Sequence, residues 1–131
     1  MKRLAILSVL CAIAIGSTSR SYSDDQLIKA IHQVETNGRV GKILGDGGKA
    51  LGPLQIHFAN WKDAVEYDKT IGGQYSDCQS LDYSKKIFKA YTERYAKGKS
   101  PEVKARIWNG GPNALKKNAT KQYWSKVQAK L

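Results

Sequence analysis

Apolar residues recur at helical spacing in five stretches of the chain. The first runs through Leu27, Ile28, Ile31 and Val34. Ser23-Asp24-Asp25-Gln26 precedes it as a capping box, and Asn37-Gly38 follows as a stop, so the pattern predicts a helix over Asp24–Thr36. Trp61 and Val65, four apart, mark a short helix over Phe58–Tyr67. Tyr83, Ile87, Phe88, Tyr91 and Tyr95 keep a period near 3.6 and predict a long helix over Leu81–Lys97, capped by Ser80. Ser100-Pro101-Glu102 opens a fourth helix carrying Val103, Ile107 and Trp108, and Gly110-Gly111-Pro112 closes it. A last helix is expected over about residues 120–129, with Tyr123, Trp124 and Val127 on one face. Between the first two helices, residues 38–52 are Gly-rich and hold few apolar side chains, namely Val40, Ile43, Leu44 and Leu51. That segment predicts turns around one short hairpin. The fold class implied is α+β, mostly helical, with a small β-hairpin or sheet.

The N-terminal residues carry a different pattern. Lys2 and Arg3 precede twelve mostly apolar residues, Leu4 to Ile15, and the small residues Gly16 to Ser19. Residues 1–19 therefore read as a secretory signal peptide. The apolar run falls short of the roughly 20 residues that a membrane span needs, so no stable membrane anchor is expected. Cleavage after Ser19 leaves residues 20–131 as a single domain. That domain keeps one cysteine, Cys78, and so has no internal disulfide; the plain reading of Cys78 is a buried, inert thiol.

Charge narrows the partners. The whole chain has a net charge of +11, and the part after residue 19, with 20 basic and 11 acidic side chains, has +9. An exported cation of this kind suits an anionic polymer or surface such as a bacterial cell wall. No basic block is interleaved with aromatics as in a nucleic-acid module, so nucleic acid is not an expected partner. No metal or cofactor site is expected.

Candidate chemistry centres on two carboxylates. Ile28 and Ile31 lie seven and four residues before Glu35 and share its helix face, which turns Glu35 toward the core. Burial raises a carboxyl pKa, and the negative end of the helix dipole works in the same direction. The protonated form so favoured is what a general acid needs. Asp46 follows eleven residues later, across a turn. Taken alone, Glu35 also reads as a solvated residue at a fraying helix end, and Asp46 as a turn residue in Gly-Asp-Gly-Gly. A sugar-binding cleft would be completed by the amides of Gln55 and Asn109, the flat rings of Trp61 and Trp108, and His57 beside the Gly52-Pro53-Leu54-Gln55-Ile56 segment. In that segment, strand-like alternation places Leu54 and Ile56 on one face and Gln55 on the other.

Several segments, in order, resemble the invertebrate-type lysozymes. They are Val34-Glu35-Thr36-Asn37-Gly38, Gly52-Pro53-Leu54-Gln55-Ile56, Trp61-Lys62-Asp63-Ala64, Ala105-Arg106-Ile107-Trp108-Asn109-Gly110-Gly111-Pro112 and Tyr123-Trp124-Ser125-Lys126-Val127. The resemblance implies a lysozyme-like fold and hydrolysis of the β-1,4 bond between N-acetylmuramic acid and N-acetylglucosamine in peptidoglycan. It makes Glu35 the general acid and Asp46 the second carboxylate. The signal peptide makes the chain a secreted protein, extracellular or periplasmic, and the resemblance allows a proteinaceous lysozyme inhibitor as a further partner. Three features depart from the family pattern. The disulfides common in its animal members are absent, which points to a divergent branch such as a bacterial one. Thr36 follows the catalytic Glu where Ser or Gly is usual. Trp108 stands where His is frequent, so an isopeptidase activity credited to some relatives through that His is not expected. A lytic transglycosylase, which uses one Glu without an Asp and leaves anhydro ends, is the alternative reading. A non-catalytic glycan binder on the same fold is the other.

Overall fold

The structure is a computed structural model and describes residues 20–131. The expected signal peptide, residues 1–19, lies outside the described residues. Helix α1 spans Asp24–Thr36, α2 Phe58–Tyr67, α3 Leu81–Ala96, α4 Pro101–Gly110 and α5 Asn118–Gln128. Strands β1 (Leu44–Gly45), β2 (Ala50–Leu51) and β3 (Ile56–His57) form an antiparallel sheet in the order β1-β2-β3. The α+β, mostly helical architecture is as the sequence implies, and the small β element has three strands where one hairpin was expected.

Local chemistry sets the boundaries. Ser23 and Gln26 form a reciprocal capping box at the start of α1. Asn37, in the left-handed conformation at φ 54°, ends the helix. Its N–H donates to the Gln33 carbonyl at 3.0 Å, and the Gly38 N–H donates to that of His32 at 3.3 Å. Ser80 and Ser100 cap α3 and α4 through their side chains. Lys117 gives α5 no side-chain cap, and that helix begins two residues before the expected Thr120. Thr120 instead sits inside the first turn, with its hydroxyl donating to the Ala114 carbonyl at 2.8 Å.

The helices enclose one core. Leu27, Ile28 and Ile31 of α1 meet Ile87, Phe88 and Tyr91 of α3, Ala105, Ile107 and Trp108 of α4, and Val127 of α5. Each fully buried Leu, Ile or Phe side chain contributes about 1.5–3 kcal/mol of burial free energy. Within α3 the predicted stripe splits, with Ile87, Phe88 and Tyr91 buried and Tyr83 and Tyr95 half-buried. A buried side chain locks α4 to α5. Arg106 donates to the Thr120 hydroxyl at 3.0 Å, the Leu115 carbonyl at 3.2 Å and the Glu102 carboxylate at 3.3 Å.

The Gly52–Gln55 segment corrects the expected strand. It is a turn, closed by the Gln55 N–H on the Gly52 carbonyl at 3.0 Å, with Gln55 left-handed at φ 50°. Leu54 and Ile56 are still buried together, on either side of the half-exposed Gln55. Cys78 backs this turn. Its thiol is buried and pushed up to about 12, chiefly by desolvation, which makes it inert at neutral pH. Its carbonyl crowds Gly52, where an added Cβ would lie 1.8 Å from the oxygen.

Gly52, at φ 81°, therefore has both a conformational and a steric reason to be glycine. Gly52→Ala is expected to cost more than about 2 kcal/mol in urea unfolding, whereas Gly47→Ala, at φ 64° with open space around it, should cost about 1 kcal/mol. Equal costs at the two positions would refute the steric role of Cys78.

Candidate active site

Three elements converge on one cleft: the last turn of α1, the sheet with its loops, and the C-terminal end of α4. Thr36, beside Glu35, is buried, and its hydroxyl lies 2.9 Å from the Pro53 carbonyl, the nearest of three carbonyl acceptors. This bond ties the end of α1 to the Gly52–Gln55 turn. The His32 ring nitrogen Nε2 lies 2.7 Å from the Arg39 carbonyl and anchors the chain as it leaves the helix. Among the described residues, the non-glycine positions with left-handed φ are Asn37, Asp46 and Gln55. Each such residue costs on the order of 1–3 kcal/mol, and strain of this kind concentrates at functional sites.

The cleft has a volume of about 510 Å³. Glu35, Asp46, Gln55, His57, Trp108 and Asn109 line it, together with Ala50, Ala59, Asn60, Gly110 and Gly111. The residues proposed from sequence thus share one concavity, with one exception. Trp61 does not line it. Its ring packs beside Phe58 and Tyr75, and its indole N–H donates to the Tyr83 hydroxyl at 2.9 Å.

The two carboxylates occupy unlike surroundings. Burial raises the Glu35 pKa above its ordinary value, against a smaller lowering by the Tyr123 hydroxyl and the Lys126 charge. The Tyr123 O–H donates to Glu35 Oε1 at 2.8 Å. Desolvation, then the Glu35 charge, pushes the Tyr123 phenol well up, so it remains a donor. Asp46, at the tip of the β1–β2 connection, has a side chain 66% exposed. His57 Nε2 stands 3.3 Å from its Oδ2.

Other lining residues act partly through the backbone. The Gln55 amide donates to the Ile43 and Gly52 carbonyls at 3.2 and 3.0 Å, so both its hydrogens brace the sheet loop and its oxygen remains for other contacts. Gly45 passes so close that a Cβ there would meet Gln55 Oε1 at 1.8 Å. Trp108 is only 4% exposed and stacks edge-on with Phe88 and Tyr91 at 5.0 and 5.6 Å. It forms the cleft wall from the core side. Asn60 spans from α2 to the Trp108 carbonyl at 3.4 Å, and Asn109 is exposed at the rim. Sequence reasoning missed Asn60 and Tyr123. Tyr123 was read as an apolar position of α5 and as part of a segment carrying the resemblance, and no local motif signals a bond that spans 88 residues. Among the described residues, no group of three or more His, Cys, Asp or Glu side chains is placed to hold a metal ion.

The chain resembles known proteins in sequence and in fold. No protein-family model matches the chain. Over 129 residues it is 32% identical to Lysozyme 1 of Crassostrea virginica, covering 91% of this chain and 68% of that protein. Over 107 residues it is 30% identical to the lysozyme of Meretrix lusoria, covering 77% of this chain and 84% of that one. The Meretrix lusoria lysozyme in its crystal structure with Aeromonas hydrophila PliI superposes with a TM-score of 0.67 at 30% identity, over 79% of this chain and 87% of that chain. The Tapes japonica lysozyme gives the same TM-score of 0.67 at 24% identity, over 83% of this chain and 93% of that one, a likeness of fold.

The raised Glu35 pKa makes a stability prediction. Between the ordinary glutamate value, about 4.3, and the raised folded value, the folded chain holds a proton that the unfolded chain has lost. Stability therefore falls as pH rises through this window. Glu35→Gln removes that fall. Urea unfolding should find the variant gaining on the parent between pH 4 and pH 8; a pH-independent difference would contradict a desolvated Glu35.

Proposed function

The chain belongs to the invertebrate-type lysozyme family, and we propose that it hydrolyses the β-1,4 bond between N-acetylmuramic acid and N-acetylglucosamine in peptidoglycan. The observation that carries this reading is a desolvated Glu35 in the same cleft as a solvent-open Asp46. Two carboxylates in contrasting environments divide the acid and carboxylate roles of glycoside cleavage between them.

Glu35, protonated, donates to the glycosidic oxygen as the bond from the anomeric carbon to that oxygen breaks. Asp46 supplies negative charge opposite the positive charge that develops at the anomeric carbon. Water adds to that carbon and gives up a proton to one of the two carboxylates, so one fragment gains a reducing end, the other a free hydroxyl, and the carboxylate pair is again singly protonated. Tyr123 positions the Glu35 carboxyl, and the His57 ring does the same for Asp46. Asn109 and the free oxygen of Gln55 are the polar groups placed for sugar amides and hydroxyls. The lining by Asp46 favours this chemistry over that of a lytic transglycosylase, which needs no second carboxylate. Trp108 has no basic nitrogen and is held among core rings, which leaves no base at its position for isopeptidase chemistry.

The basic, apolar and small-residue order of residues 1–19 supports export of the mature domain. Its +9 charge supports attraction to anionic wall polymers. The solved complex of the Meretrix lusoria lysozyme with PliI supports a proteinaceous inhibitor as a partner of this chain.

Two measurements test the reading. Glu35→Gln should lower turnover of purified peptidoglycan by about 10²–10⁴-fold while the protein stays folded; retained turnover would remove Glu35 from the acid role. Activity on intact walls should also decline as added salt shortens the Debye length from about 30 to about 3 Å, and a flat salt profile would exclude electrostatic steering.

A further inference from the structure

An aromatic cluster at the start of α2 takes no part in the chemistry above. Phe58, the first residue of that helix, is 55% exposed. Its ring lies 5.4 Å from that of Trp61 and meets Tyr75 edge-on at 5.5 Å. A single exposed phenylalanine needs no explanation, but this one is mounted on rings that cannot drift. Trp61 is pinned by its indole N–H on the Tyr83 hydroxyl at 2.9 Å, and that hydroxyl donates in turn to the Gly72 carbonyl at 2.7 Å. The Tyr75 hydroxyl donates to the Ile56 carbonyl at 2.6 Å. The apolar face is thus set before any ligand arrives, which lowers the ordering cost of binding.

Its position relates it to the cleft. His57 and Ala59, the chain neighbours of Phe58, both line the cleft, and so does Asn60. An aromatic face on the rim of a polar cleft suits a ligand with one apolar and one polar side. A pyranose ring has that character, with C–H groups on its faces and hydroxyls at its edge.

We propose that Phe58, backed by Trp61 and Tyr75, is a platform for a sugar ring of the same glycan strand, remote from the bond that Glu35 protonates. This rests on the glycosidase reading. Binding energy gathered at such a remote ring helps hold the reacting bond in place, so its loss lowers turnover as well as affinity.

Peptide-free glycan strands from peptidoglycan, sorted by length, test the platform with the full mature chain. On long strands Phe58→Ala should lose about five- to tenfold in kcat/KM, and the loss should shrink as the strands shorten. Phe58→Leu, which keeps apolar bulk without a flat face, should lose as much. Phe58→Tyr should recover most of it. A loss equal at every length, a Leu variant as good as the Tyr variant, or no loss on long strands would overturn the platform. If the parent cleaves no strand, the glycosidase reading fails separately. Calorimetric binding of the same strands then decides: a length-dependent loss of affinity in Phe58→Ala supports the platform, and equal or absent binding by parent and variant overturns it.

Discussion

The buried Thr36 hydroxyl, 2.9 Å from the Pro53 carbonyl, joins the helix that carries Glu35 to the turn that leads into β3. Both sides of the cleft depend on that junction. On one side, α1 can end only where Asn37 turns left-handed, immediately after Glu35 and Thr36. On the other, Pro53 is held within a turn that Gly52 permits and the Cys78 carbonyl crowds. The sheet hangs from this turn. Gln55 folds its amide back onto Gly52 and Ile43, and β3 delivers His57 to Asp46. In a chain with no disulfide among its described residues, these buried hydrogen bonds do the cross-linking that covalent bonds do elsewhere.

A second chain of contacts fixes Glu35 from the other direction. Arg106 holds the first turn of α5 through Thr120, and α5 carries Tyr123 to the Glu35 carboxyl. The electrostatics of Glu35 are a balance. Desolvation favours the neutral acid, while the Tyr123 hydroxyl and the Lys126 charge favour the carboxylate. A general acid needs both tendencies, because it must hold a proton at rest and release it during bond cleavage. Asp46 meets a different demand. It stays in water at the tip of a loop, with His57 as its neighbour.

Much of this was legible in the sequence, for identifiable reasons. The ends of α1 followed from the Ser23–Gln26 box and Asn37-Gly38, because capping chemistry is local. The long helix α3 followed from a sustained period. Strand β3 did not, since two residues carry no period and the left-handed Gln55 breaks the alternation that precedes it. Trp61 was placed in the cleft because a tryptophan near a candidate binding segment looks the same whether it faces ligand or neighbouring rings. Its bond to Tyr83 decided that it faces neighbours. Tyr123 and Arg106 act through contacts between separate helices, which only the packed structure brings together. The candidate cleft was therefore readable in most of the side chains that line it and unreadable in what holds them.

Glu35 and Asp46 are proposed to hydrolyse a glycan strand together. Mass spectrometry of the fragments released from purified peptidoglycan by residues 20–131 tests this most directly. Hydrolysis predicts fragments with ordinary reducing ends. Anhydro ends would contradict it, leaving Glu35 to act without water and Asp46 as a loop residue, and the absence of any fragments would contradict it outright.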